Sequence, residues 1–260
     1  MRRAKRFSQS STFWMRRTAE LGCSLGREAG ASLIATELYP LGMLTGIPTL
    51  PLPWKDQAHD GTAVLFLHGF FHNRSAFGLM KNRLAWSGLR HFYDLNLYTT
   101  LKSVPRLAEQ VSRTVEKIYR SRKIKQVVIV AHSMGGIIAR TYLQKQKRDG
   151  EISHLITLGT AHQGTYLSRL SPLPHLKELA PGSDLLLELN SLPAPQATHA
   201  LNLFGSHDLI LKPKTAALWK GIDNLELAGL GHLGILFSRR AAKNIIGHLT
   251  PPPEKKRKFA

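Results

Sequence analysis

The stretch Gln126-Val127-Val128-Ile129-Val130-Ala131-His132-Ser133-Met134-Gly135-Gly136 decides how this 260-residue chain is read. Its first half, QVVIVA, has a Val-Val-Ile-Val centre and is the most strand-like run in the chain. Its second half places small residues two before and two after a serine. A helix-forming segment, Gly135 to Gln146, follows. This is the nucleophile-elbow pattern G-x-S-x-G, with Ala131 in place of the first glycine. Such an elbow holds a serine on a sharp strand-to-helix turn, where strand and helix approach too closely for large side chains. One methyl is the smallest departure from glycine, and Gly135 keeps the more demanding position.

Working outward, strands and helices alternate. Thr62 to Leu67 (TAVLFL) is an apolar run bounded by Gly61 and Gly69. Ser75 to Trp86 has helical spacing, and His91 to Tyr98 suits a strand. Val104, Leu107, Ala108, Val111, Val115 and Ile118 trace one helical face. Ile152 to Leu158, Ala200 to Phe204 and Asn224 to Leu227 read as further strands, and Ala241 to Leu249 as a closing helix. The alternation predicts an α/β fold: a mostly parallel central sheet with helices on both faces. There are no internal repeats. Gln163 to Thr198 breaks the rhythm. It is long, carries several prolines, and has leucines at 167, 170, 173, 176, 179 and 185–187. A long insertion there is expected to act as a cap or lid over an acyl-binding cleft. Simple packing on the sheet is the alternative.

A serine hydroxyl is a weak nucleophile and needs a base, which in turn needs an orienting carboxylate. Among twelve histidines, His232 in Gly229-Leu230-Gly231-His232 follows the last predicted strand and is the candidate base. Asp208, in Phe204-Gly205-Ser206-His207-Asp208, follows the preceding strand and is the candidate acid. Asp184 competes but sits in the insertion, and Asp223 precedes a strand rather than following one. Charge developing on a substrate oxygen needs paired amide donors. Met134, opening the helix after the serine, and Phe70, in the turn Leu67-His68-Gly69-Phe70, are the candidates. Gly69 frees that turn and His68 buttresses it. His132 adjoins the serine. No cofactor and no metal set is called for.

Lysine and arginine total 36 against 17 acidic residues, a formal net charge of +19. Such a surface attracts polyanions, including anionic lipid head groups. No nucleic-acid module accompanies the charge, so no specific nucleic-acid partner is expected. Cys23 is the only cysteine, which excludes an internal disulfide and favours a reducing, cytoplasmic compartment. Residues 1–55 read as a basic arm and connector. Phe13 and Trp14 among the basic residues would suit peripheral docking on an anionic membrane surface. Glu20 to Leu38 is expected to be helical. Leu38 to Trp54 is interrupted by Pro40, Pro48, Pro51 and Pro53 and cannot form a membrane-spanning helix. No secretory signal is evident. Residues 56–250 form the main domain, with 163–198 as the insertion, and 251–260 a Pro-rich, basic tail.

With these residues in place, the segment from Thr62 to Leu249 resembles the α/β-hydrolase superfamily, in its bacterial triacylglycerol lipase and esterase branch. The resemblance lies in Leu67-His68-Gly69-Phe70, His132-Ser133-Met134-Gly135-Gly136, Leu158-Gly159-Thr160-Ala161-His162-Gln163-Gly164-Thr165 and Gly229 to Phe237. The third segment is similar to a G-T-P-H-x-G-T signature, with Ala161 replacing proline. It implies that His162 and Gly164 shape the rim of the site, beside pocket residues His68, Gly69 and His132. The resemblance also implies the order Ser133, Asp208, His232 and a small-molecule or lipid ester as substrate. Other acyl transfers, lactone or polyester hydrolysis, or a non-catalytic binding protein would suit the same fold.

Overall fold

The structure is a computed structural model that describes residues 20–33 and 61–250. The arm before residue 20, the proline-punctuated connector and the basic tail lie outside the described residues. Residues 20–33 form helix α1. Six strands follow: β1 (Thr62–Leu67), β2 (His91–Leu95), β3 (Gln126–His132), β4 (His154–Leu158), β5 (His199–Gly205) and β6 (Asp223–Leu227). They alternate with helices α2 (Gly78–Ala85), α3 (Val104–Tyr119), α4 (Met134–Arg140), α5 (Asp184–Ser191) and α6 (Arg239–Leu249). All six strands are parallel, in the order β2-β1-β3-β4-β5-β6.

The uninterrupted apolar runs are explained by burial on both faces. Ala63, Leu65 and Leu67 of β1 join Val127, Ile129 and Ala131 of β3 in a core roofed by α3, α4 and α5. Val64, Phe66, Val128 and Val130 point the other way, into a second core closed by α2 and α6. Each buried Val, Leu, Ile or Phe side chain contributes about 1.5–3 kcal/mol from leaving water. A one-residue register slip would exchange the two sets, so the register is tightly specified. The stripe at Leu107, Val111, Val115 and Ile118 is the face that α3 lays on the first core.

Two elements end differently from the sequence expectation. β2 stops at Leu95, because Asn96 Oδ1 accepts the Arg74 N–H (3.1 Å) and the Leu97 N–H is drawn to His68 Nε2 (2.8 Å). These tertiary bonds turn 96–98 out of the sheet. The helix after the serine is regular only to Arg140 and continues as a π-helical turn, Thr141–Lys145.

The chain steps from β1 to β2 on one side and returns to place β3 on the other side of β1. Between β1 and β3 the strand order therefore reverses, and the crevice beyond the carboxyl ends of those two strands is where such sheets hold ligands. The turn 68–70 and Ser133 both sit there.

Candidate active site

Ser133 joins β3 to α4 with φ 54° and ψ −124°. A non-glycine residue there is strained by roughly 1–3 kcal/mol, and three bonds hold it. The Ser133 N–H donates to the Leu158 carbonyl (2.9 Å), while its own carbonyl accepts from Thr160 Oγ1 and Gly136 N–H (both 3.0 Å). The small neighbours are dictated by contact. A Cβ on Gly135 would lie 2.4 Å from the Leu67 carbonyl oxygen, and one on Gly69 would lie 2.7 Å from Ser133 Cβ. A Cβ on Gly136 would strike Thr160 Oγ1 at 2.1 Å, which accounts for the second glycine.

Two loops converge on this serine. His232 Nε2 lies 3.0 Å from Ser133 Oγ, and His232 Nδ1 lies 2.8 Å from Asp208 Oδ2. Asp208 is 2% exposed, and its other oxygen accepts the N–H groups of Ile210 (2.8 Å) and Leu211 (3.2 Å). A carboxylate so bonded can only accept at Nδ1, so Nδ1 carries the imidazole proton and Nε2 is left to accept from the serine hydroxyl. Met134 is the first residue of α4, so its N–H has no acceptor one turn back.

A cavity of about 570 Å³ opens over Ser133 and His232. Phe70, His132 and Met134 stand in its wall, as do Leu167, Leu176 and Leu179 from the insertion. The insertion divides into two parts. Its first half walls the cavity, whereas Leu185, Leu186 and Leu189 of α5 pack into the first core. Leu170 and Leu187 face solvent.

Four expected pocket residues lie elsewhere. His68 is buried behind the turn, its Nδ1–H donating to the Gly69 carbonyl (2.9 Å) while Nε2 accepts from Leu97. Gly69 lies against the elbow. Gly164, at φ +92°, is needed because a Cβ would meet the Pro181 nitrogen at 2.6 Å, so it seats the insertion rather than the substrate. His162 is wholly buried, stacked on Trp219 with ring centroids 5.0 Å apart. Its Nδ1 accepts from the Arg140 guanidinium (3.3 Å), and its Nε2–H donates to Thr157 Oγ1 (3.1 Å), which donates on to Asn202 (2.9 Å). Arg140 is also buried. It lies over the Trp219 ring and donates to the Leu189 carbonyl and Asn190 Oδ1 (2.9 and 3.1 Å). Burial lowers its pKa to about 9, so it is charged at neutral pH.

Sequence reasoning missed Leu21, Ser24, Leu25 and Glu28 of α1, which line the cavity together with His72, His207 and Lys212. The spacing of Leu21, Leu25 and Glu28 is one helical face. That was the available signal, but nothing in the pattern says which surface the face covers.

The buried histidines are held neutral. Burial lowers His68 to about 4, helped by His72, although its bond to the Gly69 carbonyl opposes the shift. His132 and His162 are pushed well below the usual value, chiefly by burial and then by His232 and Arg140 respectively. Each would gain a proton on unfolding, so the stability they contribute is full above pH 6.5 and lost as pH falls toward 4. We expect the melting temperature to be level above pH 6.5 and to drop steadily between pH 6.5 and 4.5, with His68 alone costing on the order of a few kcal/mol. Thermal melts across that range check this. A level or rising curve would contradict it.

Residues 91–171 match the family of PGAP1-like alpha/beta domains. Over 206 residues the chain is 23% identical to a GPI inositol-deacylase of Candida albicans, covering 68% of this chain and 48% of that protein. The chain thus spans about half the length of that curated relative. Among solved structures, the mature lipase of Bacillus licheniformis superposes with a TM-score of 0.66 at 19% identity, over 79% of this chain and all of that one. A phospholipase of Legionella pneumophila gives 0.63 at 16% identity, over 73% and 59% of the two chains. Lipase B of Aspergillus fumigatus gives 0.61 at 15% identity, over 71% and 51%. The chain has the α/β-hydrolase fold. The matches come from bacteria and fungi alike and do not single out the bacterial branch.

Proposed function

We propose that this protein is a serine hydrolase that cleaves carboxylic esters of acyl or lipid substrates through an acyl-enzyme. The observation that carries the reading is His232, bonded to Ser133 Oγ on one side and to Asp208 on the other. His232 Nε2 takes the Ser133 proton as Oγ attacks the ester carbonyl carbon. The Phe70 and Met134 amides receive the oxyanion. The protonated imidazole, steadied by Asp208, then gives its proton to the departing alkoxide. In the second half His232 takes a proton from water, the hydroxide attacks the acyl carbonyl, and the carboxylic acid leaves as Ser133 regains its hydrogen. These steps need only the named groups and water.

A lipid substrate is supported by the leucines in the cavity wall and by the lipases, phospholipase and deacylase that the chain resembles. Leu21, Leu25, Leu167 and Leu209 line the cavity yet remain about half exposed. With the +19 charge, such a mouth suits an anionic lipid surface.

The test combines a fluorophosphonate probe with a panel of p-nitrophenyl esters of rising chain length and triglycerides, offered with and without anionic vesicles. We expect labelling at Ser133, turnover that rises from acetate to medium-chain esters, and a salt-sensitive gain from the vesicles. An unlabelled, inactive protein would favour a binding role. Labelling with lactone or polyester turnover alone would move the substrate class.

A further inference from the structure

Glu28, on α1, is 204 residues from His232 along the chain by sequence position, yet its carboxylate straddles the amides that follow it. Oε1 accepts the Leu233 N–H at 2.6 Å and Oε2 accepts the Gly234 N–H at 2.9 Å. These amides open the 3-10 turn Gly234–Phe237, whose own N-cap residue, Leu233, supplies no side-chain acceptor. The first donors of a helical turn have no partner within it, and a carboxylate gives them charge-assisted bonds, stronger than neutral ones. One residue before His232, Gly231 makes the room. A Cβ there would lie 2.3 Å from Glu28 Oε2. One turn earlier on α1, Ser24 Oγ reaches the Gly229 carbonyl at 3.4 Å. The loop is therefore held from α1 on both sides of His232, while His232's own carbonyl accepts from His132 Nε2 at 3.0 Å.

We propose that Glu28 is a positioning residue for His232. Its carboxylate fixes the backbone that aims the imidazole at Ser133, and Gly231 exists to admit it. The assignment rests on the reading of His232 as the catalytic base. α1 is then part of the active site as well as a wall of its cavity.

The test uses the full-length chain with Glu28→Ala, Gly231→Ala and the double variant, assayed on p-nitrophenyl butyrate. Misplacing a catalytic group by an ångström can cost up to 10²-fold, so we expect kcat to fall by about tenfold or more in each single variant with KM within about twofold. The double variant should lose no more than the worse single one, because both break the same contact. Proton NMR supplies a readout independent of turnover. The low-field Nδ1 proton of His232, identified by its absence in His232→Ala, should shift or broaden in both single variants while melting temperatures stay close to the parent. Should Glu28→Ala fail to fold, Glu28→Gln, which keeps one acceptor oxygen, gives the same two signals. An unchanged resonance with unchanged kcat overturns the proposal, as do losses that multiply in the double variant. A resonance that moves in a protein with no esterase activity upholds the positioning role and sinks the hydrolase reading.

Discussion

Replacing Ser133 with alanine is expected to lower esterase turnover by roughly 10⁴-fold or more while leaving the fold intact. The expectation follows from what the substitution removes. Alanine keeps the Cβ that packs against Gly69 and the backbone bonds to Leu158, Thr160 and Gly136, so the elbow retains its geometry. Only Oγ is lost, and with it the atom that would attack and the partner of His232 Nε2. What would remain is the cavity, the proposed amide pair and an imidazole with nothing to activate but water, which leaves a small residual rate. Steady-state kinetics on a p-nitrophenyl ester, with the melting temperature as a check on folding, measures the drop. The fluorophosphonate label should vanish with it. Near-native turnover by the variant would remove Ser133 from the mechanism.

Asp208→Asn is expected to cost about 10³–10⁴-fold in kcat, for a reason that lies in proton direction rather than in shape. Asp208 Oδ1 is committed to two amide donors, those of Ile210 and Leu211. An asparagine would keep its carbonyl oxygen on those donors and so present its NH₂ group to His232 Nδ1. An amide NH₂ donates, so Nδ1 would have to give up its hydrogen and become the acceptor. The imidazole proton would move to Nε2, facing Ser133 Oγ, where it blocks the base. Side-chain volume hardly changes, so stability should change far less than rate. Comparing kcat with Asp208→Ala separates the two ideas. If the asparagine variant matched the parent, the carboxylate would have no part in directing that proton.

Much of this architecture is written locally. Runs such as TAVLFL and QVVIVA state both-faced burial in their composition, and the elbow carries its steric demands in adjacent residues. Ser133, Asp208 and His232 stand out because each follows a strand. What escaped was set by contacts distant in sequence. His162 and Gly164 belong to a conspicuous signature, but only the fold shows one stacked on Trp219 and the other pressed on Pro181. Nothing in the sequence ties Glu28 to the loop after β6, because a carboxylate's partners there are backbone amides, which have no sequence signature. β2 ends before the His91 to Tyr98 pattern does for the same reason: the bonds that end it go to Arg74 and His68.

The Arg140 cation has a consequence for how a ligand could reach the cavity. Its bonds tie α4, the helix behind Ser133, to the carbonyl of Leu189 and the side-chain oxygen of Asn190 in α5, and a hydrogen bond to a charged group contributes about 1.5–3 kcal/mol. α4 and α5 are thereby locked together behind the elbow. A passage that widened while this lock held would form on the side of the cavity lined by α1 and the first half of the insertion, where Leu21, Leu25 and Leu167 are about half exposed.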